Sequence, residues 1–80
     1  MIGYHVTTPR KLDRYKQSGC ILPPVRFWPN VETALRWARR TGRTVVLQIE
    51  VENSFPLPDH KPARWSGDIV REWSMLTGSD

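Results

Sequence analysis

The chain has 80 residues, a length that fits one domain, and its 12 basic and 8 acidic residues give a net charge of +4. Hydrophobic residues make up 39% of the chain and four residues are tryptophan, which excludes a disordered or a fibrous protein. The length also excludes a multidomain enzyme. The basic balance favours anionic partners without choosing among them.

The cysteine count and the termini indicate where the protein works. The single Cys20 has no partner for an internal disulfide bond, and it forms no familiar zinc-site spacing with the two histidines. The first residues lack the segments of a signal peptide, and the longest aliphatic run, residues 45–47, is far too short to span a membrane. We therefore expect a soluble, cytoplasmic protein with no metal site and no membrane partner.

The first elements along the chain are a strand and a helix. Residues 2–7 alternate apolar side chains with polar or small ones, which is the period-two pattern of a strand. Thr8 is a suitable N-cap before Pro9, and Gly19 is suited to end a helix in the left-handed conformation. The sequence therefore predicts a short helix over residues 9–18.

The middle of the chain repeats this order with a longer strand at its end. Residues 25–28 predict a short strand that Pro29 stops. Asn30 is a good N-cap for a helix with one apolar stripe, and this second helix ends at Gly42. Residues 43–52 then alternate apolar and polar side chains, which predicts the longest strand.

The last third combines a proline-rich segment with a helical spacing. Residues 53–62 contain three prolines and are predicted to form a loop. Ser66 is a plausible N-cap for a third helix, whose apolar stripe would be Ile69, Trp73 and Leu76, followed by a frayed tail at 77–80. The order strand–helix–strand–helix–strand–helix predicts a single α+β domain over residues 1–80, with a small mixed sheet and about three helices.

Polar side chains gather on one face of the predicted sheet. If the apolar residues of all three strands face the helices, the neighbours of those residues share the opposite face. This set comprises His5, Thr7, Arg26, Trp28, Gln48 and Glu50. It suits a ligand with hydroxyls, an aromatic ring and phosphates, provided that the three strands are adjacent.

Three segments resemble the ADP-ribosyltransferase-like family. They are the opening Tyr4-His5-Val6-Thr7, the stretch Gly19-x-Ile21-Leu22-Pro23 after a helix, and an aromatic strand end before an alanine-containing helix. The resemblance covers about the first 52 residues. It implies the fold of that family and a site for NAD or an ADP-ribose-like nucleotide, with or without transferase activity.

The resemblance also implies roles for individual residues. His5 and Thr7 would contact the ribose and the carboxamide of NAD, and Trp28 would stack on the nicotinamide, at a position where the family more often has Tyr or Ser. Glu50 would hold a ribose hydroxyl or steer the acceptor, which makes His5 and Glu50 the predicted catalytic residues. Arg26, from the same face, completes the predicted cofactor-binding set.

Structural roles compete with these functional ones. His5 could make local hydrogen bonds in a half-buried sheet, and Trp28 could pack in the core. Glu50 could be solvated or paired with Arg26, and a carboxyl so paired has a lowered pKa and is a poor general base.

Two other functions and one further motif stay open at this point. A basic RNA- or DNA-binding surface would use Arg36, Arg39, Arg40 and Arg43, although basic residues also suit the end of a helix. A protein-interaction domain would use its tryptophans to complete a homodimer interface. In the segment 58–65, Asp59 beside His60 is either a candidate acid–base pair or part of an exposed loop.

Overall fold

The computed structural model describes residues 1–58 and 64–77. These residues form two helices and six strands: β1 (Ile2–Thr7), α1 (Pro9–Ser18), β2 (Val25–Phe27), α2 (Val31–Thr41), β3 (Val45–Glu50), β4 (Ser54–Leu57), β5 (Arg64–Gly67) and β6 (Trp73–Thr77). The strands form two antiparallel three-stranded sheets, with the strand orders β1-β3-β6 and β2-β5-β4. The prediction of one small mixed sheet is therefore wrong.

Both helices begin and end where their capping residues predict. The Thr8 side chain accepts a hydrogen bond from the amide of Lys11 before α1, and Asn30 accepts two amides of the first turn of α2. Gly19 and Gly42 end the two helices with φ values of 77° and 71°, a region that glycine enters without steric cost. Of the described helices, neither is long and apolar enough to cross a membrane.

The predicted third helix over residues 66–76 is wrong. The segment instead contains the end of β5, an isolated antiparallel bridge between Val70 and Ile21, and most of β6. The amide and carbonyl groups of Ile21 and Val70 bond each other at 2.7 and 3.1 Å. The chain thus has two described helices in the order strand–helix–strand–helix, followed by four strands.

Long-range pairing explains why a segment with helical spacing of its apolar residues forms a strand. Ile69, Trp73 and Leu76 are three and four residues apart, which fits a helix, but β6 pairs with the central strand β3. In β6, half-buried Trp73 and Met75 alternate with exposed Ser74 and Leu76, which is the burial period of a strand. The backbone groups of this segment are therefore satisfied by a neighbouring strand rather than by a helix.

The proline-rich segment that was predicted as a loop contains β4. Pro56 lies opposite Trp65 in the ladder between β4 and β5. Because β4 is the outer strand of its sheet, a residue without an amide hydrogen is tolerated there.

Two apolar cores lie on opposite faces of the β1–β3 pair. On one face, α2 covers Val6 and Val46 with Ala34 and Ala38, and Trp28 joins this cluster. On the other face, the larger core fills the space between the two sheets. Its fully buried residues include Val25 and Phe27 of β2, Val45 and Leu47 of β3, and Val70, which follows β5.

A single antiparallel bridge connects the two sheets. The amide and carbonyl groups of Tyr4 in β1 and Trp28, just after β2, bond each other at 2.8 and 3.0 Å. Among the described residues, β1 and the segment of β2 form no other backbone bridge, so the strands separate toward the Thr7 end of β1. This separation creates the space in which the candidate site lies.

Candidate functional site

A cavity of about 370 Å³ opens where β1 and β2 separate. One side is formed by the end of β1 and the inner face of α1, and the segment after α1 adds Cys20 and Ile21. The other side is formed by Arg26 of β2, Trp28, Trp37 of α2 and the start of β5. Both helices and both sheets therefore contribute to one site.

The floor of the cavity contains three hydrogen-bonded polar side chains. His5 Nδ1 bonds the backbone carbonyl of Arg26, and His5 Nε2 lies 3.1 Å from the hydroxyl of Tyr15. The Tyr15 hydroxyl also lies 3.4 Å from Thr7 Oγ1. Because β1 and β2 are not paired here, the imidazole of His5 takes the place of a strand partner for the Arg26 carbonyl.

The hydrogen bonds assign the protons along this chain of groups. A carbonyl oxygen only accepts, so Nδ1 of His5 must carry a hydrogen and donate it to Arg26. In the neutral ring Nε2 is then an acceptor, and the Tyr15 hydroxyl donates to it. Thr7 in turn donates to the Tyr15 oxygen. The site therefore presents an ordered, neutral set of groups that alternate donor and acceptor.

The charge environment keeps His5 neutral. Burial lowers the pKa of His5 from its ordinary value of 6.5, and the positive charges of Lys11 and Arg43 lower it further. The hydrogen bond to the Arg26 carbonyl acts in the opposite direction and offsets only part of this. At neutral pH the ring is thus uncharged, and its Nε2 atom can accept the hydrogen bond from the Tyr15 hydroxyl.

Cations surround the cavity. Its lining includes Lys11 and Arg14 from α1 together with Arg26, Arg43 and Arg64. No aspartate or glutamate of the described residues lines it. An environment with five positive charges and no described negative charge favours an anionic ligand, since like charges repel in a partly buried site.

Two indole rings and one guanidinium form a wall of the cavity. The ring centroids of Trp28 and Trp37 are 5.5 Å apart, and Arg64 Cζ lies 4.9 Å and 4.8 Å from them. These distances are those of cation–π contacts. The Trp28 ring is buried and one contact with it is already made by Arg64, so stacking of nicotinamide on Trp28 requires that Arg64 move.

The predicted site residues fall into two groups. The structure brings His5, Thr7, Arg26 and Trp28 to the same cavity. It does not bring Glu50 there: Glu50 lies directly opposite Ile2, at the far end of the β1–β3 pair.

The expectation that all these side chains share one face of the sheet is wrong, and the strand register gives the reason. His5 lies opposite Leu47 in the ladder, whereas Gln48 lies opposite Tyr4. Residues opposite each other point to the same face, so Gln48 and Glu50 point away from the face of His5. Trp28 also pairs with Tyr4, but it reaches the cavity because the sheets separate beside it.

Tyr15, Trp37 and Arg64 are among the lining residues that the sequence reasoning missed. Tyr15 lies three residues after buried Leu12 on the inner face of α1, and this spacing is the signal that could have identified it. Trp37 lies on the half-buried side of α2. Arg64 carries no sequence signal, because its position depends on the pairing of β5 with β2.

The arginines proposed for nucleic-acid binding separate into two places. Arg36, Arg39 and Arg40 are exposed on α2, whereas Arg43, just after it, lines the cavity. Asp59 and His60 of the segment 58–65 lie outside the described residues. Trp65 from the same segment packs against the larger core, with its ring 6.3 Å from that of Phe27.

Comparison with protein families, with characterised proteins and with solved structures found no match for this chain.

Proposed function

We propose that the chain is a small ADP-ribosyltransferase-like protein that binds NAD or an ADP-ribose-like nucleotide in the cavity beside His5. The observation that supports this most directly is the ordered set of His5, Thr7 and Tyr15 next to five cationic side chains. The Thr7 and Tyr15 oxygens retain lone pairs that suit the donors of ribose hydroxyls and a carboxamide, and cations suit a pyrophosphate.

The cavity suggests an orientation for the nucleotide. In the proposed complex, the ribose next to the nicotinamide lies against His5 and Thr7, whose hydrogen bonds Tyr15 keeps in place. The pyrophosphate lies beside Lys11 and Arg14 of α1. The cavity volume of about 370 Å³ is near the lower end of the range for small-molecule sites. In the proposed complex, part of a dinucleotide therefore lies outside the cavity.

We propose binding rather than group transfer as the main function. Glu50, the predicted acidic element, is exposed on the other face of the sheet, and no described carboxylate lines the cavity. A transferase that needs a carboxylate to orient a ribose hydroxyl or an acceptor would lack it among residues 1–58 and 64–77. The half-buried free thiol of Cys20 fits a reducing compartment, and we propose a cytoplasmic location.

The test is an amide NMR titration of the isotope-labelled protein with NAD, and separately with ADP-ribose. We expect shifts at His5, Thr7 and Arg26, and none at Gln48 or Glu50. No shifts at millimolar concentrations of both ligands would contradict the proposal.

Two variants make this test specific. His5→Ala removes the ring that holds the Arg26 carbonyl and the Tyr15 hydroxyl in place, and the loss of this order should weaken binding by about tenfold. Glu50→Ala is the matched control, because that exposed side chain lies away from the cavity. The affinity of this variant for the nucleotide should stay within about twofold of the wild-type value. Equal weakening in both variants would show that the site is placed wrongly.

A further inference from the structure

Three arginines gather on one wall of the cavity. Arg26, Arg43 and Arg64, here called the arginine wall, all line the cavity, and Arg64 lies against the rings of Trp28 and Trp37. Burial lowers the pKa of Arg64, and the nearby positive charges of Arg26 and Arg43 lower it further. Three like charges held this close repel one another and favour a compact anion between them.

Two buried donors on the same wall lack acceptors. Trp28 Nε1 and Arg64 Nε are both closed to solvent, and neither has a hydrogen-bond partner among the described residues. Trp28 is 3% exposed, so its donor does not reach bulk solvent. Buried donors of this kind are rare in folded proteins and often mark a place where a bound group supplies the acceptor.

We propose that the arginine wall binds a phosphate monoester dianion, so that the preferred ligand is a nucleotide carrying a phosphomonoester in addition to its pyrophosphate. This inference rests on the proposed function and names the ligand class of the same cavity. In the proposed complex, Arg64 Nε and the indole donor of Trp28 donate hydrogen bonds to oxygens of this phosphate.

The distribution of cations distinguishes this ligand from a simple dinucleotide. Lys11 and Arg14 lie three residues apart on α1, on the other side of the cavity, and are available to a pyrophosphate. A pyrophosphate diester spreads its charge over two phosphorus atoms, whereas a phosphomonoester concentrates about two negative charges on one group. Planar guanidinium groups bind such an anion through paired hydrogen bonds.

The experiment follows the Trp28 indole signal in proton–nitrogen NMR spectra of the full chain. This donor makes no described hydrogen bond, so an acceptor that reaches it should shift its signal. Trp28→Phe identifies the signal among the four tryptophans. The probes are inorganic phosphate, NAD, and NADP, which carries one phosphomonoester more than NAD. We expect NADP to bind about tenfold more tightly than NAD and to shift this signal.

A pair of charge-matched variants tests the wall itself. Arg64→Gln removes one positive charge from the wall and should reduce the preference for NADP to about twofold or less. Arg36→Gln removes the same charge from the exposed side of α2 and should leave the preference unchanged. Inorganic phosphate should compete with NADP more strongly than with NAD, because only NADP carries a phosphomonoester for the arginine wall. This comparison distinguishes a site for the phosphate of a nucleotide from a site for free phosphate alone.

The possible failures are distinguishable. Equal affinity for NAD and NADP would overturn the inference and leave the proposed function intact. A phosphate-induced shift of the Trp28 signal that persists in Arg64→Gln would also overturn it. If neither nucleotide binds while phosphate shifts the signal only when Arg64 is present, the arginine wall is supported and the proposed function fails.

Discussion

His5 is the residue on which the floor of the cavity depends. Its ring bonds the Arg26 carbonyl with one nitrogen and accepts from the Tyr15 hydroxyl with the other. Protonation would give both nitrogens a hydrogen and convert the contact with Tyr15 from acceptance to donation. The hydrogen-bond direction in the site therefore depends on the lowered pKa of this ring.

The stability of the protein should depend on pH through His5. Because the folded-state pKa of His5 is lowered from 6.5, the unfolded chain takes up a proton first as pH falls. The free energy of unfolding should therefore be unaffected by this group above pH 6.5, and should decline as pH drops from 6.5 toward the lower folded-state value. Urea unfolding at pH 7.5 and pH 5.5 measures the decline.

Substitution separates this effect from the titration of other groups. His5→Gln should lose the part of the decline that His5 causes, whereas His60→Gln removes the chain's other histidine and serves as the control. A decline between pH 7.5 and 5.5 that is the same in wild type and His5→Gln would show that His5 is not its source.

At the residue level, the sequence predicted part of the site and not the rest. His5 and Thr7 were found because the period of a strand places residues i and i+2 on one face, a purely local rule. Glu50 was misplaced because that rule does not say which residue of another strand lies opposite. Register is determined by side-chain packing and hydrogen bonding between distant segments, as the pairing of Ile2 with Glu50 illustrates.

At the level of elements, the contact between β1 and β2 positions two residues of the cavity. A Cβ atom at Gly3 would lie 2.1 Å from Cδ2 of Phe27, so the Phe27 ring fits against β1 only because position 3 has no side chain. Phe27 stands between Arg26 and Trp28 in the sequence. The close approach at Gly3 therefore controls where both of these side chains enter the cavity.

Gly3→Ala should destabilise the protein by about 1–3 kcal/mol, because the buried Phe27 ring must move to admit a methyl group. Chemical denaturation measures the change. A double variant, Gly3→Ala with Phe27→Leu, tests the cause. The loss in its free energy of unfolding should be smaller than the sum of the losses in the two single variants, because the smaller side chain makes room for the methyl group. Additive effects would contradict the contact.

The two helices were predictable and the last strands were not, for the same physical reason. Caps such as Thr8, Asn30 and Gly42 act within four residues of the helix end, so their signal is present in the local sequence. β6 exists because β3 offers it a partner far back in the chain: Met75 pairs with Leu47, which lies 28 residues earlier. A local spacing that fits a helix cannot report such a partner.

At the level of the whole molecule, charge is separated along the β1–β3 pair. The cavity with its five cations lies toward the end where Thr7 pairs with Val45. The other end, where Ile2 pairs with Glu50, borders depressions that are lined by Arg71 and by four acidic residues, Glu50, Glu52, Asp68 and Glu72. The field of this arrangement should draw anions toward the cavity.

The affinity for ADP-ribose should therefore fall as salt rises. From 50 to 200 mM NaCl we expect a loss of about fivefold, because ions screen the cavity cations and compete for them. Calorimetric titration at both salt concentrations measures the loss. Arg43→Gln should reduce the salt dependence, and Glu50→Gln, at the opposite end, should leave it nearly unchanged. Equal salt dependence in wild type and Arg43→Gln would contradict a role for the cavity charges.

The separated charges also give the molecule a permanent electric dipole moment. The two ends of the β1–β3 pair are five residues apart, or roughly 17 Å at the rise of an antiparallel strand. A dipole of this length experiences a torque near a charged surface, so adsorption on an anionic support should occur in one orientation. The cavity would then face the support and become shielded, while Glu50 and Glu72 would stay accessible to a carboxyl-labelling reagent.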